Sequence, residues 1–342
     1  MAATTTVPET PPVVPRPSRG GRLSRILAPF RQAKGVQRFM LLTGALLTFV
    51  FVFTAIFAPL IAPFGFDQYQ DAAGRFPQQA APSAAHHWGT TVNSFDVLSR
   101  TLYGARTALE VMILAVIFAL FIGVPLGLIS GYVGGWLDRI LVLVMDALFA
   151  FPYLLLAIVA SFLLKNTIGN GIVVAAIAIT VVYIPQYFRV VRASVLSARE
   201  ATYIEAARAM GAKPRTIIHK YLFANVVQSV PVIGTLNAAD AILTLAGLGF
   251  LGLGIQPTEA AEWGYDLQRA IADAGAGIWW TALYPGLAIV LAVTSLTLVG
   301  EGLNDVLNPT LRRRRGRAPQ ILTGSSAVGP ASAGTVEEDA GE

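Results

Sequence analysis

No cysteine occurs anywhere in the 342 residues, which excludes a disulfide framework and any thiolate metal site. Charge is scarce too: Asp, Glu, Lys and Arg make up 13% of the chain, about half the ~25% of an ordinary soluble domain. The shortage is local, since residues 39–62 and 111–137 contain no charged side chain at all. An apolar run of about 18 or more residues crosses the ~30 Å hydrocarbon layer as a helix. A soluble core helix needs no run of that kind. The Gly-x4-Gly-Lys-Ser/Thr phosphate loop is also missing, so the usual nucleotide cradle is excluded. No Ser/His/Asp order and no metal-ligand spacing supports catalysis. His86 and His87 are adjacent in a polar loop and read as surface histidines, with a metal site as the alternative.

What is present is apolar and arranged in blocks. Hydrophobic residues make up 54% of the chain. Six blocks predict spans over roughly 39–62, 107–131, 140–164, 172–188, 226–254 and 278–302. The expected fold class is an all-α membrane protein with six transmembrane helices. The first block, about 24 residues, exceeds the 7–15 apolar residues of a cleavable leader and reads as a retained helix. Every block contains Gly or Pro, which membrane helices tolerate because neighbours re-satisfy the backbone. Pro125, Pro152, Pro185, Pro231 and Pro285 are therefore expected to be kinks and not span boundaries.

The net charge of +5 would suit nucleic acid, but the positions of the charges point to a lipid bilayer. With the N-terminus inside, 20 of the 25 Lys and Arg residues face the cytoplasm, and Arg75, Arg100, Arg106, Lys165 and Arg269 face the other side. Lys and Arg are retained on the cytoplasmic side, so both termini are expected there. Residues 1–20, rich in Pro, Thr and Val, and residues 318–342, rich in Ala, Gly, Ser and acids, are linkers by composition. Arg312, Arg313, Arg314 and Arg315 read as a topology signal closing the last helix, with a partner or anionic headgroups as the alternative.

Two segments between spans are too long for simple turns, one outside over about 64–106 and one inside over about 189–225. In the inner one, Ser197-Ala198-Arg199-Glu200 and Thr202-Tyr203-Ile204-Glu205 both have capping-box spacing. Using both requires a break between them, which predicts two short helices at an angle. The second covers 205–210, is stopped by Gly211 at the C′ position, and is followed by Pro214 in the first turn of a further helix. A short helix of small residues across the cytoplasmic face admits close approach by another protein.

Glu205-Ala206-Ala207, three residues and then Gly211 resembles the "EAA…G" loop of permease subunits in bacterial binding-protein-dependent ABC importers. The resemblance extends over most of residues 36–311. It includes His87-Trp88-Gly89-Thr90, Asp96-Val97-Leu98-Ser99-Arg100, Gly134-Gly135-Trp136, Met145-Asp146, Ala150-Phe151-Pro152, the run from Phe250 to Pro257, Trp263-Gly264 and Pro285-Gly286. These motifs are similar to those of C-type subunits of dipeptide, oligopeptide and nickel importers. Departures are Thr91 where Asp is usual, Ser94-Phe95 where Gly-Arg is usual, Phe223-Ala224 where Leu-Pro is usual, and Leu245 where many members carry an acid.

The resemblance implies a type I importer permease of the bacterial cytoplasmic membrane that is not itself an enzyme. Its implied partners are a second permease subunit, two ATP-binding subunits that hold ATP and magnesium in trans, and an extracytoplasmic peptide-binding protein. Glu205, Ala206, Ala207 and Gly211 would couple the chain to the ATPase. The implied division is a cytoplasmic tail over 1–38, the first helix with an extracytoplasmic segment over 39–104, a permease core over 105–304 with its coupling loop over 189–225, and a second tail over 305–342. Peptides are the expected cargo. A nickel chelate is the alternative, and an ion-coupled secondary transporter is a more distant one, disfavoured because no repeat relates the two halves.

Ionisable groups within spans face a bundle interior or a wet cavity. Asp146 and Asp240 are two such groups. Asp146 is expected to hold helices together through hydrogen bonds. Asp240, near Asn237 and Thr244 on one helical face, is read slightly more readily as an interhelical hydrogen-bonding group than as a pathway carboxylate for a peptide ammonium. Glu110 is expected near an interface.

Overall fold

The computed structural model describes residues 35–226 and 230–307. The expected N-terminal linker, the arginine run from Arg312 and the C-terminal linker lie outside those residues. Helix α1 (Val36–Ile61) leads into a small antiparallel hairpin, β1 (Gln70–Asp71) with β2 (Gly74–Arg75). Helices α2 (Val97–Val133), α3 (Gly135–Ala150), α4 (Tyr153–Lys165) and α5 (Gly171–Ala198) follow, then the short α6 (Thr202–Ala209). Helix α7 (Pro214–Thr216) runs through a π-helical turn, Ile217–Leu222, into α8 (Phe223–Val226). Helices α9 (Val230–Phe250), α10 (Trp263–Gly275) and α11 (Trp280–Leu307) complete the order. Helices α1, α2, α5, α9 and α11 are long and apolar enough to cross a membrane, and α3 with α4 make a sixth crossing when taken as one bent span.

Pro152 is a break and not the expected kink, because α3 and α4 meet at 99°. A proline disfavours helical backbone in the residue before it, and Phe151 is extended at φ −74°, ψ 139°. Pro125, Pro185 and Pro285 do lie inside continuous helices. Pro231 is the second described residue of α9. The fourth span also departs from expectation. It continues ten residues past Phe188 to Ala198, so Ser197 lies inside α5 and caps nothing. The N-cap of α6 is Ala201, with no side-chain hydrogen bond, so the second capping box is unused as well.

The 37-residue α2 is the spine. At 1.5 Å per residue it is about 55 Å long, well beyond the ~30 Å hydrocarbon layer. Its start is fixed by Asp96, which accepts the Ser99 N–H at 2.8 Å. Its most extensive contact is with α5, and the cause is a row of small residues. A Cβ on Gly123 would lie 2.7 Å from Tyr187 Cβ, one on Gly127 2.8 Å from the Phe188 carbonyl oxygen, and one on Gly131 2.8 Å from Val195 Cβ. With no water to expel from a membrane interior, helices associate through close packing, and a Gly every fourth residue permits backbone contact. Ala108, Ala115 and Ala119 extend the small-residue face into a core shared with Ala175, Ile179 and Tyr183 of α5 and with Ala241, Ile242 and Leu245 of α9.

Polar contacts close the end of the bundle where α2 begins. Arg100 is 1% exposed. Its Nε donates to both oxygens of Asp266 at 2.8 and 2.9 Å, and its Nη1 donates to the Phe66 carbonyl at 3.0 Å. Trp263 Nε1 donates to the Thr101 carbonyl at 2.9 Å. Both Asp266 and Trp263 belong to α10, a helix that the hydropathy blocks did not show. Glu262 caps α10 by accepting the Gly264 and Tyr265 N–H groups at 2.8 and 2.7 Å. Full burial pushes its carboxyl up to about 8 against those hydrogen bonds.

His86 corrects the surface reading. It is 5% exposed, its Nδ1 is 3.0 Å from Asp96 Oδ1, and its ring packs against Phe64 and Phe76. His87 is exposed, and no cluster of His, Asp and Glu suited to a metal occurs among the described residues. Two of the departures from the family pattern are accommodated nearby. Thr91 Oγ1 accepts the Phe95 N–H at 3.1 Å, and Ser94 takes φ +65°, a region that favours the glycine usual there.

Candidate functional site

Two places carry functional candidates: the α6 end of the bundle and the polar seam between α5 and α9. Helix α6 is closed at its C-terminal end. Gly211 takes φ +79°, its N–H donates to Arg208 O at 2.9 Å, and the Ala212 N–H donates to Ala207 O at 3.0 Å. That pair is the Schellman pattern, which satisfies the last carbonyls of a helix. Pro214 sits in the first turn of α7 as expected. Phe223-Ala224, where Leu-Pro is usual, begin α8 directly after a π-helical turn in which Ile217 and Leu222 are buried.

The inner face of α6 is Ile204 and Ala207, buried against Leu128, Val191, Val195, Ile217 and Leu222. Arg208 lies over the Tyr132 ring at 5.5 Å, and Arg199 Nη1 donates to the Gly131 carbonyl at 3.1 Å. Ala207, at 1% exposure, seats α6 on the bundle. The outward face consists of Thr202, Glu205, Ala206, Ala209 and Met210, the last 79% exposed. The exposed side chains of Tyr203 and Arg208 flank it.

The same end is braced by ion pairs that sequence reading did not single out. Asp138 of α3 takes Arg192 of α5 in a two-pronged contact, Nε to Oδ1 at 2.6 Å and Nη2 to Oδ2 at 2.7 Å, and also accepts the Ser130 hydroxyl. Asp146 does bridge helices, through Arg189 Nη2 at 2.7 Å, although both side chains are about half exposed. Spacing was the available signal for these pairs. Arg189 and Arg192 continue a helical face of α5 opposite the acids of α3, two pairings that require α5 to run on as a helix.

In the seam, Asp240 Oδ2 accepts the Tyr183 hydroxyl at 2.8 Å, and Thr244 Oγ1 donates to the Asp240 carbonyl at 2.9 Å. Asp240 is only partly buried and lines a cavity at the Phe151–Pro152 break. Asn237 is buried instead, beside the Tyr187 hydroxyl of α5. The structure thus separates two residues expected on one face: Asn237 inside the helix contact, Asp240 at its open edge. Glu110 pairs with Arg106 at 3.0 Å in an exposed i,i+4 contact, consistent with an interfacial place.

Residues 123–313, from the glycine row through α11, match the family described as binding-protein-dependent transport system inner membrane component. The chain belongs to that family. It is also 37% identical, over 84% of its length and 91% of the relative's, to the dipeptide transport system permease protein of Alkalihalophilus pseudofirmus. To the glutathione transport system permease protein of Pectobacterium atrosepticum it is 35% identical, over 84% of this chain and 93% of that one. The Escherichia coli O157:H7 protein of the same name is 37% identical over 80% and 87%. The protein is thus a multi-pass membrane component of a transport system that works with a separate binding protein, and its architecture is that of type I importer permeases.

Proposed function

We propose that this chain is one of two permease subunits of an ATP-driven importer for di- and oligopeptides. In this reading the six crossings form half of a pathway whose access alternates as separate ATPase subunits close and open beneath it. The chain holds no nucleotide of its own; ATP and magnesium sit in the ATPase partners, and catalysis stays with them. Helix α6 is the contact: its buried side fixes it to α2, α5 and the π-helical turn, and its outward face of Ala206, Ala209 and Met210 rests on an ATPase. Glu205 on that face has room for a cationic partner. Gly211 ends the helix so that the chain turns back toward α9. Both termini and α6 lie on the cytoplasmic side, and the hairpin and α10 lie outside, where a binding protein delivers cargo. Cargo class is carried by one observation, the likeness over most of the chain to permeases named for dipeptide and glutathione transport.

The test is reconstitution of the chain with its second permease, ATPase subunits and binding protein in vesicles. A labelled dipeptide is expected to accumulate only when ATP is on the ATPase side. ATP-dependent accumulation of nickel with no peptide uptake would replace this reading by the metal one.

A further inference from the structure

The break at Pro152 opens a cavity of about 250 Å³ between α3, α4, α5 and α9. Its lining is aromatic and apolar, with Phe149, Phe151 and Tyr153 among its walls, except for two polar side chains, Asp240 and Gln186. Asp240 uses Oδ2 for Tyr183. Neither its Oδ1 nor the Gln186 amide has a hydrogen-bond partner among the described residues. An ionised carboxylate in a span costs about 2.5–3.5 kcal/mol on insertion scales unless it faces a cavity or a counter-charge.

A second observation points away from lipid on this side of the molecule. Tyr183, Gln186, Arg189 and Arg192 follow one another at intervals of three along α5, and the last two are paired with Asp146 and Asp138 of α3. Such a polar ladder suits a wet passage or a protein partner. The Arg189 guanidinium already lies 3.9 Å from the Phe149 ring centroid, so the cavity wall holds one cation over an aromatic face.

We propose that the Asp240 cavity is a station for a primary ammonium group of the cargo during translocation. This rests on the peptide reading above. Asp240 Oδ1 accepts one ammonium hydrogen and the Gln186 carbonyl another, while Tyr183 holds the carboxylate in place and the aromatic walls exclude bulk water. The cavity is smaller than the ~300–1,000 Å³ of sites that enclose a whole small ligand. It therefore takes one end of a peptide, the α-amino terminus, and leaves the remaining residues in the passage. Specificity here is for the charged terminus and not for side chains.

This chain has no cysteine, so Gln186→Cys gives it a single reporter thiol, whose labelling is followed on this chain within the assembled complex in vesicles. Its reaction with aminoethyl methanethiosulfonate, a primary ammonium, is compared with that of neutral methyl methanethiosulfonate. The expected result is a preference for the cationic reagent at least ten-fold above that of a free thiol. The preference should collapse in Gln186→Cys with Asp240→Asn and persist with Asp240→Glu. Equal rates in the single variant, or a preference unchanged by Asp240→Asn, would overturn the proposal. So would a thiol that reacts in the isolated subunit and is shielded from both reagents in the complex, since a partner would then fill the cavity. Uptake separates the two readings: with Gln186 intact, Asp240→Asn should lower uptake of a free-amine dipeptide ten-fold or more while the complex assembles. If the native complex takes up no peptide but the thiol preference stands, the cargo assignment fails and the cation site remains.

Discussion

At Ala207 and Ala206, neighbours in sequence point to opposite environments, and substitution separates seating from docking. Ala207 is enclosed, so Ala207→Trp overfills the seat and is expected to destabilise the α6 region by about 1–3 kcal/mol or more. The reading is faster proteolysis after Arg199 or Arg208 in the isolated subunit. Ala206 is exposed, so Ala206→Trp should leave that proteolysis unchanged while ATPase stimulation by loaded binding protein falls several-fold. Full stimulation in Ala206→Trp would remove this face from the coupling. Gly211 supplies a third case, because a Cβ there meets nothing within 4 Å and the cost of a side chain is that of the backbone alone. Gly211→Val should cost about 1–2 kcal/mol and impair coupling, and Gly211→Asn, which tolerates positive φ, should cost less. The sequence carried Gly211 plainly, since a helix of small residues needs a stop there. It did not carry the burial of Ala207 or of His86, because the covering residues, Ile217 and Leu222 in one case and Phe64 and Phe76 in the other, are set by tertiary packing.

Among the elements, the apolar spans were legible because hydrocarbon thickness imposes length and composition together. Helix α10 was not, since Trp263–Gly275 carries Asp266, Arg269 and Asp273 and is too short and polar to resemble a span. Nor was the true length of α5, where arginines suggested a loop: Arg189 and Arg192 find acids on α3, so the charged stretch remains helical. Pro152 was visible but its effect was not, because the angle at a proline depends on what packs around it. Helix α10 also provides a pH prediction. Glu262, with Asp266 and Arg100 as its charged neighbours, is held up to about 8 by burial, whereas an unfolded Glu titrates near 4.3. The folded state therefore binds more protons across that window, and its stability falls as pH rises from about 4.5 to 8. Purified subunit in detergent should melt at lower temperature at pH 8 than at pH 5. Glu262→Gln, which fits the same site without charge, should flatten the dependence over that range. An unchanged slope in Glu262→Gln would place the titration elsewhere.

For the whole molecule, the unequal distribution of Lys and Arg is the basis of the proposed orientation, and the structure places Ser83 and Met210 at opposite ends of α2. Single cysteines at these two positions, and at Ser332 beyond the described residues, should answer differently to an impermeant maleimide in intact cells. Ser83→Cys should label, and Met210→Cys and Ser332→Cys should not until the membrane is opened. Labelling of Met210→Cys from outside would invert the topology and detach α6 from any ATPase.

The glycine row has a mechanical consequence. Where Gly123, Gly127 and Gly131 bring α2 onto α5 at backbone distance, no layer of side chains is left to yield under load. Two rods in such contact bend together or not at all. They form a girder whose longer rod is about 55 Å, fastened near one tip to α6 through Arg208 over the Tyr132 ring and near the other to α10 through Arg100 and Trp263. A push at the first tip therefore arrives at the second as displacement, with little lost to compression. The bent pair at Pro152 stands outside that girder and beside the Asp240 cavity, so the sharpest break in the described spans and the proposed cargo station occupy the same place.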